Sequence, residues 1–177
     1  MNVIRCLWIA LVLVTYALTP VRACAGQEQL DQAPQKLLKA GLGLMEKKHY
    51  LEALDHLSEA RDALETSGQT ETPLYAEVML SIAETKIRAR IYQQFPAYYV
   101  KTALEDVQSA NKLHERLPGV MPEKLAEGYF LEGYIQKNFF MRYDAAAQVF
   151  SKAITVDPSL TAAKRELSEL LAEGKQK

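Results

Sequence analysis

Small and large apolar residues share one helical face in the stretch from residue 143 to residue 159. If this stretch is helical, Ala146, Phe150 and Ala153 fall at i, i+4 and i+7, so two small residues flank one large side chain. Small residues at these positions allow a second helix to approach closely. Pro158 biases the residue before it away from helical geometry. The pattern therefore predicts the second helix of a helical hairpin with a sharp end.

The same small, large, small spacing occurs twice more, earlier in the chain. It is formed by two sets of residues: Ala53, Leu57 and Ala60, and Ala103, Val107 and Ala110. Apolar residues at helical spacing also precede each of the three sets, over residues 36–47 and 75–89 and, in a looser match, over residues 124–138. The chain is therefore predicted to form three helical hairpins.

The middle hairpin is predicted to be longer than the first. Twelve residues separate Gly41 from Ala53, whereas twenty separate Ala83 from Ala103. The eight extra residues add about one helical turn to each side of the hairpin. Its tip is predicted at residues 92–99. Helices are predicted to begin at the cap pair of residues 72–73 and with Pro34 and Pro122 in their first turns.

These positions resemble the signature of the tetratricopeptide repeat (TPR) family. The first hairpin carries the resemblance on Leu37, Ala40, Gly41, Leu44, Tyr50, Ala53, Leu57 and Ala60. Residues 143–158 are similar to the second half of a repeat, including its terminal Asp-Pro. The resemblance covers residues 34–177 and implies an all-α, right-handed array of antiparallel hairpins, with units at residues 34–67, 72–117 and 122–158. Residues 159–174 resemble the capping helix that closes such arrays. Its apolar face is expected to carry Leu160, Ala163, Leu167, Leu170 and Leu171, and its solvent face Lys164, Arg165, Glu166 and Glu169.

The first helix of the third unit matches this pattern less well. Glu132 and Gln136 lie where apolar residues are expected, and one extra residue precedes Tyr143. Its register is therefore left open.

The first 25 residues have a different composition from the rest. Arg5 is followed by an apolar run over residues 6–18, and Pro20 precedes a small-x-small pattern that ends at Ala25. This predicts a secretory signal peptide, because thirteen apolar residues are too few for an uncleaved anchor. Residues 21–24 also resemble a bacterial lipobox, which would place a lipid on Cys24. The expectation is an exported protein, periplasmic or secreted, with an outer-membrane lipoprotein as the alternative, and residues 26–33 as a polar spacer.

Composition and charge narrow the possible partners. The chain is 49% apolar and 24% charged, which suits one folded domain. Both cysteines lie within the first 25 residues, so a cleaved chain would have neither disulfide nor thiolate. Removing Arg5 and Arg22 from the 21 basic residues leaves 19 against 22 acidic ones, a net charge of −3. This disfavours nucleic acid and anionic membrane surfaces as partners.

The sequence contains no recognised catalytic motif. Neither a glycine-rich phosphate loop after a strand nor a nucleophile elbow is present. His49, Glu52 and His56 could share one helical face, but three residues on one surface helix are more simply explained as ordinary surface groups than as a metal site. We therefore expect a protein that is not an enzyme and has neither cofactor nor metal.

The resemblance to TPR proteins implies a concave face lined by the first helix of each hairpin, which would bind a peptide segment. Register places ten residues there: Leu38, Leu42, Met45, Leu80, Glu84, Ile87, Arg88, Phe130, Tyr134 and Lys137. Several of the apolar ones could instead belong to the core, and the sequence does not decide between these two interpretations.

A second surface is predicted where the tips of successive hairpins lie side by side. Six large side chains are expected to be neighbours on this edge: Phe95, Tyr98, Tyr99, Phe139, Phe140 and Met141. They would either bury one another or dock a partner.

The sequence thus favours a non-catalytic, exported scaffold that binds a peptide segment or an envelope protein on its concave face. The alternatives are a self-associating structural subunit and an accessory factor of an envelope assembly.

Overall fold

The computed structural model describes the backbone of residues 21–174 and the side chains of residues 33–172, and within that range every regular element is an α-helix. There are seven such helices. They are α1 (Val21–Glu46), α2 (Tyr50–Thr66), α3 (Pro73–Gln93), α4 (Tyr98–Arg116), α5 (Pro122–Phe140), α6 (Tyr143–Val156) and α7 (Thr161–Gly174). The predicted all-α class is confirmed.

Helices that are consecutive in the chain pack against each other. The most extensive contacts join α1 to α2, α3 to α4 and α5 to α6, which are the two helices of each hairpin. Smaller contacts join one hairpin to the next, and α3 also touches both α1 and α5. The fold is therefore a repeat-like array in which the first helices of successive hairpins are neighbours.

Each hairpin closes around a small residue on its first helix and a large one on its second. A β-carbon added to Gly41 would lie 2.7 Å from Cγ of Leu57, and one added to Gly133 would lie 2.7 Å from Cε1 of Phe150. Ala83 and Val107, at the corresponding positions of the middle hairpin, are both fully buried in one core cluster. The small, large, small residues of all three hairpins are buried as predicted.

The three hairpin tips use the same backbone device. The first helix of each hairpin ends beside a residue with positive φ: Lys48 (64°), Gln94 (56°) and Met141 (55°). The residues that follow Lys48 and Met141 also match, since His49 has φ −89° and ψ 66° and Arg142 has φ −91° and ψ 71°. Tips 1 and 3 are thus repeats of one structure.

The predicted helix ends agree with the structure at most positions. Thr72 caps α3, because its hydroxyl oxygen accepts a hydrogen bond from the Tyr75 N–H at 3.2 Å. Pro73 and Pro122 occupy the first turns of α3 and α5, where a missing N–H costs nothing. Helix α6 ends at Val156, two residues before Pro158.

Two boundaries differ from the prediction. Helix α1 begins at Val21, so residues 26–33 are helical and Pro34 lies inside the helix rather than in its first turn. Residues 26–33 are rich in Gln, Glu, Leu and Ala, which favour helix even without an apolar stripe. The middle tip is also shorter than residues 92–99, since α3 continues to Gln93 and α4 begins at Tyr98.

Helix α7 covers the last hairpin, with two departures from its expected pattern. Ala163 and Leu170 are buried against α5 and α6, but Leu171, expected on the same face, is exposed. Glu166, expected in solvent, is buried because its carboxylate accepts a 2.8 Å hydrogen bond from Nζ of Lys137. This ion pair fastens α7 to α5.

The predicted signal peptide lies mostly outside the described residues, which begin at Val21. The side chain of Cys24, the predicted lipidation site, is not described either. Within the part of the chain that is described, no helix is long and apolar enough to cross a membrane.

The contact between Gly41 and Leu57 yields a direct prediction. Gly41→Ala should destabilise the protein by about 1–3 kcal/mol, because Leu57 is fully buried and the Ala53 carbonyl oxygen also lies 3.2 Å from the added carbon. Chemical denaturation measures this free energy of unfolding.

Gly43→Ala is the matched control on the same helix. A β-carbon there would meet nothing within 4 Å, so this variant should be neutral or up to about 1 kcal/mol more stable. Equal effects of the two substitutions would contradict the proposed hairpin contact.

Candidate functional site

Exposed large apolar side chains are concentrated at the hairpin tips. Of the eight on the described surface, six lie there: Leu51, Ile91, Tyr92, Tyr98, Met141 and Tyr143. We call residues 47–51, 91–99 and 139–143 the hairpin-tip edge, and the opposite side, with residues 67–72, 117–121 and 157–160, the far edge. Soluble proteins rarely leave apolar side chains together on one surface unless that surface binds something.

The first two tips are in direct contact. The rings of Tyr50 and Tyr92 stack with centroids 6.2 Å apart, and Nζ of Lys48 lies 5.9 Å from the centroid of the Tyr92 ring. Nε2 of Gln93 donates a 3.1 Å hydrogen bond to the Lys48 carbonyl. These contacts leave an open cleft of about 290 Å³, which is lined by Lys48, His49, Tyr50, Leu51, Glu52 and Gln93.

The middle tip divides its aromatic residues between the core and the surface. Phe95 and Tyr99 pack against the core of the first hairpin, and their ring centroids are 5.1 Å apart. The Tyr98 ring contacts the Tyr99 ring at an angle of 34°, with centroids 4.4 Å apart, yet 60% of Tyr98 stays exposed. Tyr98 is therefore held against a partly buried aromatic pair and still faces solvent.

The third tip is the least covered. Phe139 and Phe140 pack against the core of the middle hairpin, and the Arg142 guanidinium lies 5.2 Å from the centroid of the Phe140 ring. Met141 remains 72% exposed. Tyr143, which corresponds to Tyr50 in the first hairpin, is 45% exposed where Tyr50 is 1% exposed, because Tyr92 covers only Tyr50.

The six edge residues predicted from the sequence therefore form two groups rather than one. Phe95, Tyr98 and Tyr99 contact one another, and no ring contact within the described residues joins them to Phe139 or Phe140. The reason is that each tip leans back on the preceding hairpin. Four of the six are partly buried, and only Tyr98 and Met141 are exposed.

The ten residues predicted for the concave face are also divided. Four of them are buried in the core and line no surface: Leu38, Met45, Leu80 and Ile87. Each lies on a helix that is covered on two sides; Leu38, for example, packs against residues of both α2 and α3. This places them in the core, the alternative that the sequence left open.

The other six residues of this set remain at least partly exposed: Leu42, Glu84, Arg88, Phe130, Tyr134 and Lys137. Glu84 and Arg88 form an exposed ion pair at 2.6 Å. Phe130 stacks on Phe150 at a centroid distance of 5.9 Å. Nζ of Lys137 pairs with Glu166 at 2.8 Å and with Glu169 at 3.2 Å, so its charge is compensated within the chain.

No arrangement among the described side chains suggests a metal centre. His49 pairs with Glu52 at 3.3 Å and His56 with Glu59 at 3.9 Å. Within that part of the chain, no three His, Cys, Asp or Glu residues are grouped in a way that could hold a metal ion.

A buried polar network joins the middle and third hairpins. The Glu132 carboxylate on α5 accepts hydrogen bonds from three side-chain amides: Gln108 at 3.0 Å, Asn111 at 2.9 Å and Gln136 at 3.1 Å. Gly128 lies next to the Asn111 amide of this network. A β-carbon added to Gly128 would lie 2.0 Å from Oδ1 of Asn111, so a larger residue would displace that amide. Glu132 and Gln136 are the two polar residues that fall where the repeat pattern expects apolar ones. Glu132 has donors on α4, whereas Gln136 donates to Glu132 within α5.

His114 lies at the same junction, one helical turn beyond Asn111. Its side chain is buried, and its Nδ1 has no hydrogen-bond partner among the described residues. Burial lowers the pKa of His114, and the nearby charge of Lys124 lowers it further. The neutral imidazole is therefore the form that fits between α4 and α5.

This pKa shift predicts an acid-sensitive junction. In the folded protein the pKa of His114 lies below its unfolded value of about 6.5. The stability that neutral His114 contributes is therefore fully present above about pH 6.5, and it is lost as the pH falls through the folded-state pKa. His114→Gln should therefore lose less stability than the wild type between pH 7 and pH 5.5. Denaturant midpoints at the two pH values measure the difference.

His49→Gln is the control, since His49 is half exposed and already paired with Glu52. If both substitutions changed the acid response equally, His114 would not be the group responsible.

Comparison with known proteins adds no further information on identity. No protein-family model matches this chain, and no curated protein matches it. Its function is therefore argued from the surface just described.

Proposed function

We propose that this protein is a non-catalytic interaction module, a TPR-like helical array that binds another protein. The observation that carries the proposal is that, among the side chains the structure describes, six of the eight exposed large apolar ones lie on the hairpin-tip edge. Tyrosine and methionine are frequent at protein interfaces, where they bury a large area. The sequence resemblance to TPR proteins supports the same class of function.

The hairpin-tip edge is a better candidate for the docking surface than the concave face. Four of the ten residues predicted for the concave face are core, and the charges of Glu84, Arg88 and Lys137 are compensated within the chain. The tips instead present Tyr98 and Met141 to solvent, with a cleft beside Leu51. Tyrosine is among the residue types enriched in binding hot spots.

The proposal predicts that capture of a partner depends on the hairpin-tip edge. In affinity capture from extracts of the source cells, Tyr98→Ser combined with Met141→Asn should abolish recovery of the partner bound by the wild type. Asn suits the positive φ of residue 141. Because both side chains are mostly exposed, the melting temperature should change little.

Two controls separate the edge from other surfaces. Met121→Ser removes an equally exposed apolar side chain at the far edge, and Glu84→Ala with Arg88→Ala removes the ion pair of the concave face; both should retain the partner. If only the Glu84 and Arg88 variant lost the partner, the docking site would lie on the concave face and not on the hairpin-tip edge. A wild type that captures nothing specific would contradict the interaction function itself.

A further inference from the structure

Basic residues are concentrated toward the hairpin tips, although the chain as a whole is slightly acidic. The segments 47–51, 85–104 and 133–143 together contain eight of the 21 lysines and arginines and none of the 22 acidic residues. Each segment is bordered by acidic residues at both ends: Glu46, Glu52, Glu84, Glu105, Glu132 and Asp144. They are Lys47, Lys48, Lys86, Arg88, Arg90, Lys101, Lys137 and Arg142. The longest of the three segments is the part of the middle hairpin that surrounds its tip.

Half of these cations have carboxylate neighbours outside the segments. Lys86 pairs with Asp106 at 2.6 Å. Arg88 and Lys137 pair with Glu84 and with Glu166, and the exposed Lys101 approaches Glu105 at 3.9 Å. These four residues are therefore at least partly compensated within the chain.

The other four have no carboxylate partner within the described residues: Lys47, Lys48, Arg90 and Arg142. Arg90 donates a 2.8 Å hydrogen bond to the Phe95 carbonyl. Lys48 and Arg142 lie over the rings of Tyr92 and Phe140. Positive charge and aromatic surface thus alternate along the same edge, so a ligand that touches the exposed tyrosines also meets these cations.

Two other occupants fit this surface less well. A second copy of the chain would bring two sets of uncompensated cations together, and like charges oppose such an interface. A membrane surface is disfavoured by the overall charge, because the chain carries a net charge of −1 and anionic lipids repel its acidic residues.

We propose that the hairpin-tip edge binds an acidic protein segment that carries aromatic or aliphatic anchor residues. This inference rests on the proposed interaction function and specifies its partner. Carboxylates of the segment would pair with Lys47, Lys48 and Arg142, while its apolar side chains would contact Tyr98 and Met141 or enter the cleft beside Leu51. The cations steer and align the segment, and the apolar contacts hold it.

Selection of a random-peptide display library on the purified chain tests this. The enriched peptides should contain more Asp and Glu than the starting library, together with Tyr, Phe, Leu or Met. Fluorescence anisotropy with one enriched peptide should show a Kd that rises about fivefold between 50 and 300 mM salt. Lys47→Glu with Arg142→Glu should raise that Kd at least about tenfold.

Lys112→Glu with Lys164→Glu is the matched control, since both lysines are exposed toward the far edge; its Kd should stay within about twofold of the wild type. The inference would be overturned if the enriched peptides had no acidic excess. It would also be overturned if acidic peptides bound the Lys47 and Arg142 variant as tightly as the Lys112 and Lys164 variant. Either result would leave the interaction function in place. Tighter binding to vesicles with 30% phosphatidylserine or to duplex DNA, lost in the Lys47 and Arg142 variant, would also overturn it. A library from which nothing is enriched would contradict both proposals.

Discussion

The close contact between a small residue on the first helix of a hairpin and a large residue on the second determines the rest of this structure. The Leu57 side chain packs against Gly41, and the Phe150 ring packs against Gly133. Neither contact leaves room for a β-carbon on the glycine. The middle hairpin uses Ala83 with the smaller Val107. The sizes compensate, so the three hairpins close in similar ways with different residues.

Because the hairpins close in the same way and pack in sequence, their tips come to lie on one edge. The longer middle hairpin then makes the tips unequal: Tyr92 stacks on Tyr50, which is buried, whereas Tyr143 stays 45% exposed. The exposed residues of the hairpin-tip edge are thus a consequence of helix length. Partner binding, as we propose it, uses side chains that the array itself cannot cover.

Much of the fold could be predicted from the sequence, because helical periodicity and proline positions are local signals. Ala146, Phe150 and Pro158 alone indicate where α6 packs and where it ends. The start of α1 is not marked by periodicity, because residues 26–33 favour helix by composition and carry no apolar stripe. Periodicity marks a buried face but does not report helical propensity outside it.

The candidate site was harder to predict, because burial depends on which helices meet. Leu38 and Met45 fall on the expected face of α1, yet helices on two sides enclose them. Glu132 is a carboxylate at a position where the repeat pattern expects an apolar residue. Its amide donors Gln108 and Asn111 belong to another hairpin, so no pattern within α5 reveals them. Long-range pairs of this kind require the packed structure.

The size compensation inside the hairpins can be tested with a double-mutant cycle on Gly133 and Phe150. Gly133→Ala should cost about 1–3 kcal/mol in the wild type, because the added carbon meets the Phe150 ring. In a Phe150→Val background the same substitution recreates the Ala83 and Val107 pair of the middle hairpin, so its cost should disappear and the coupling energy should be at least about 1 kcal/mol. An equal cost of Gly133→Ala in both backgrounds would contradict the account of how this array closes.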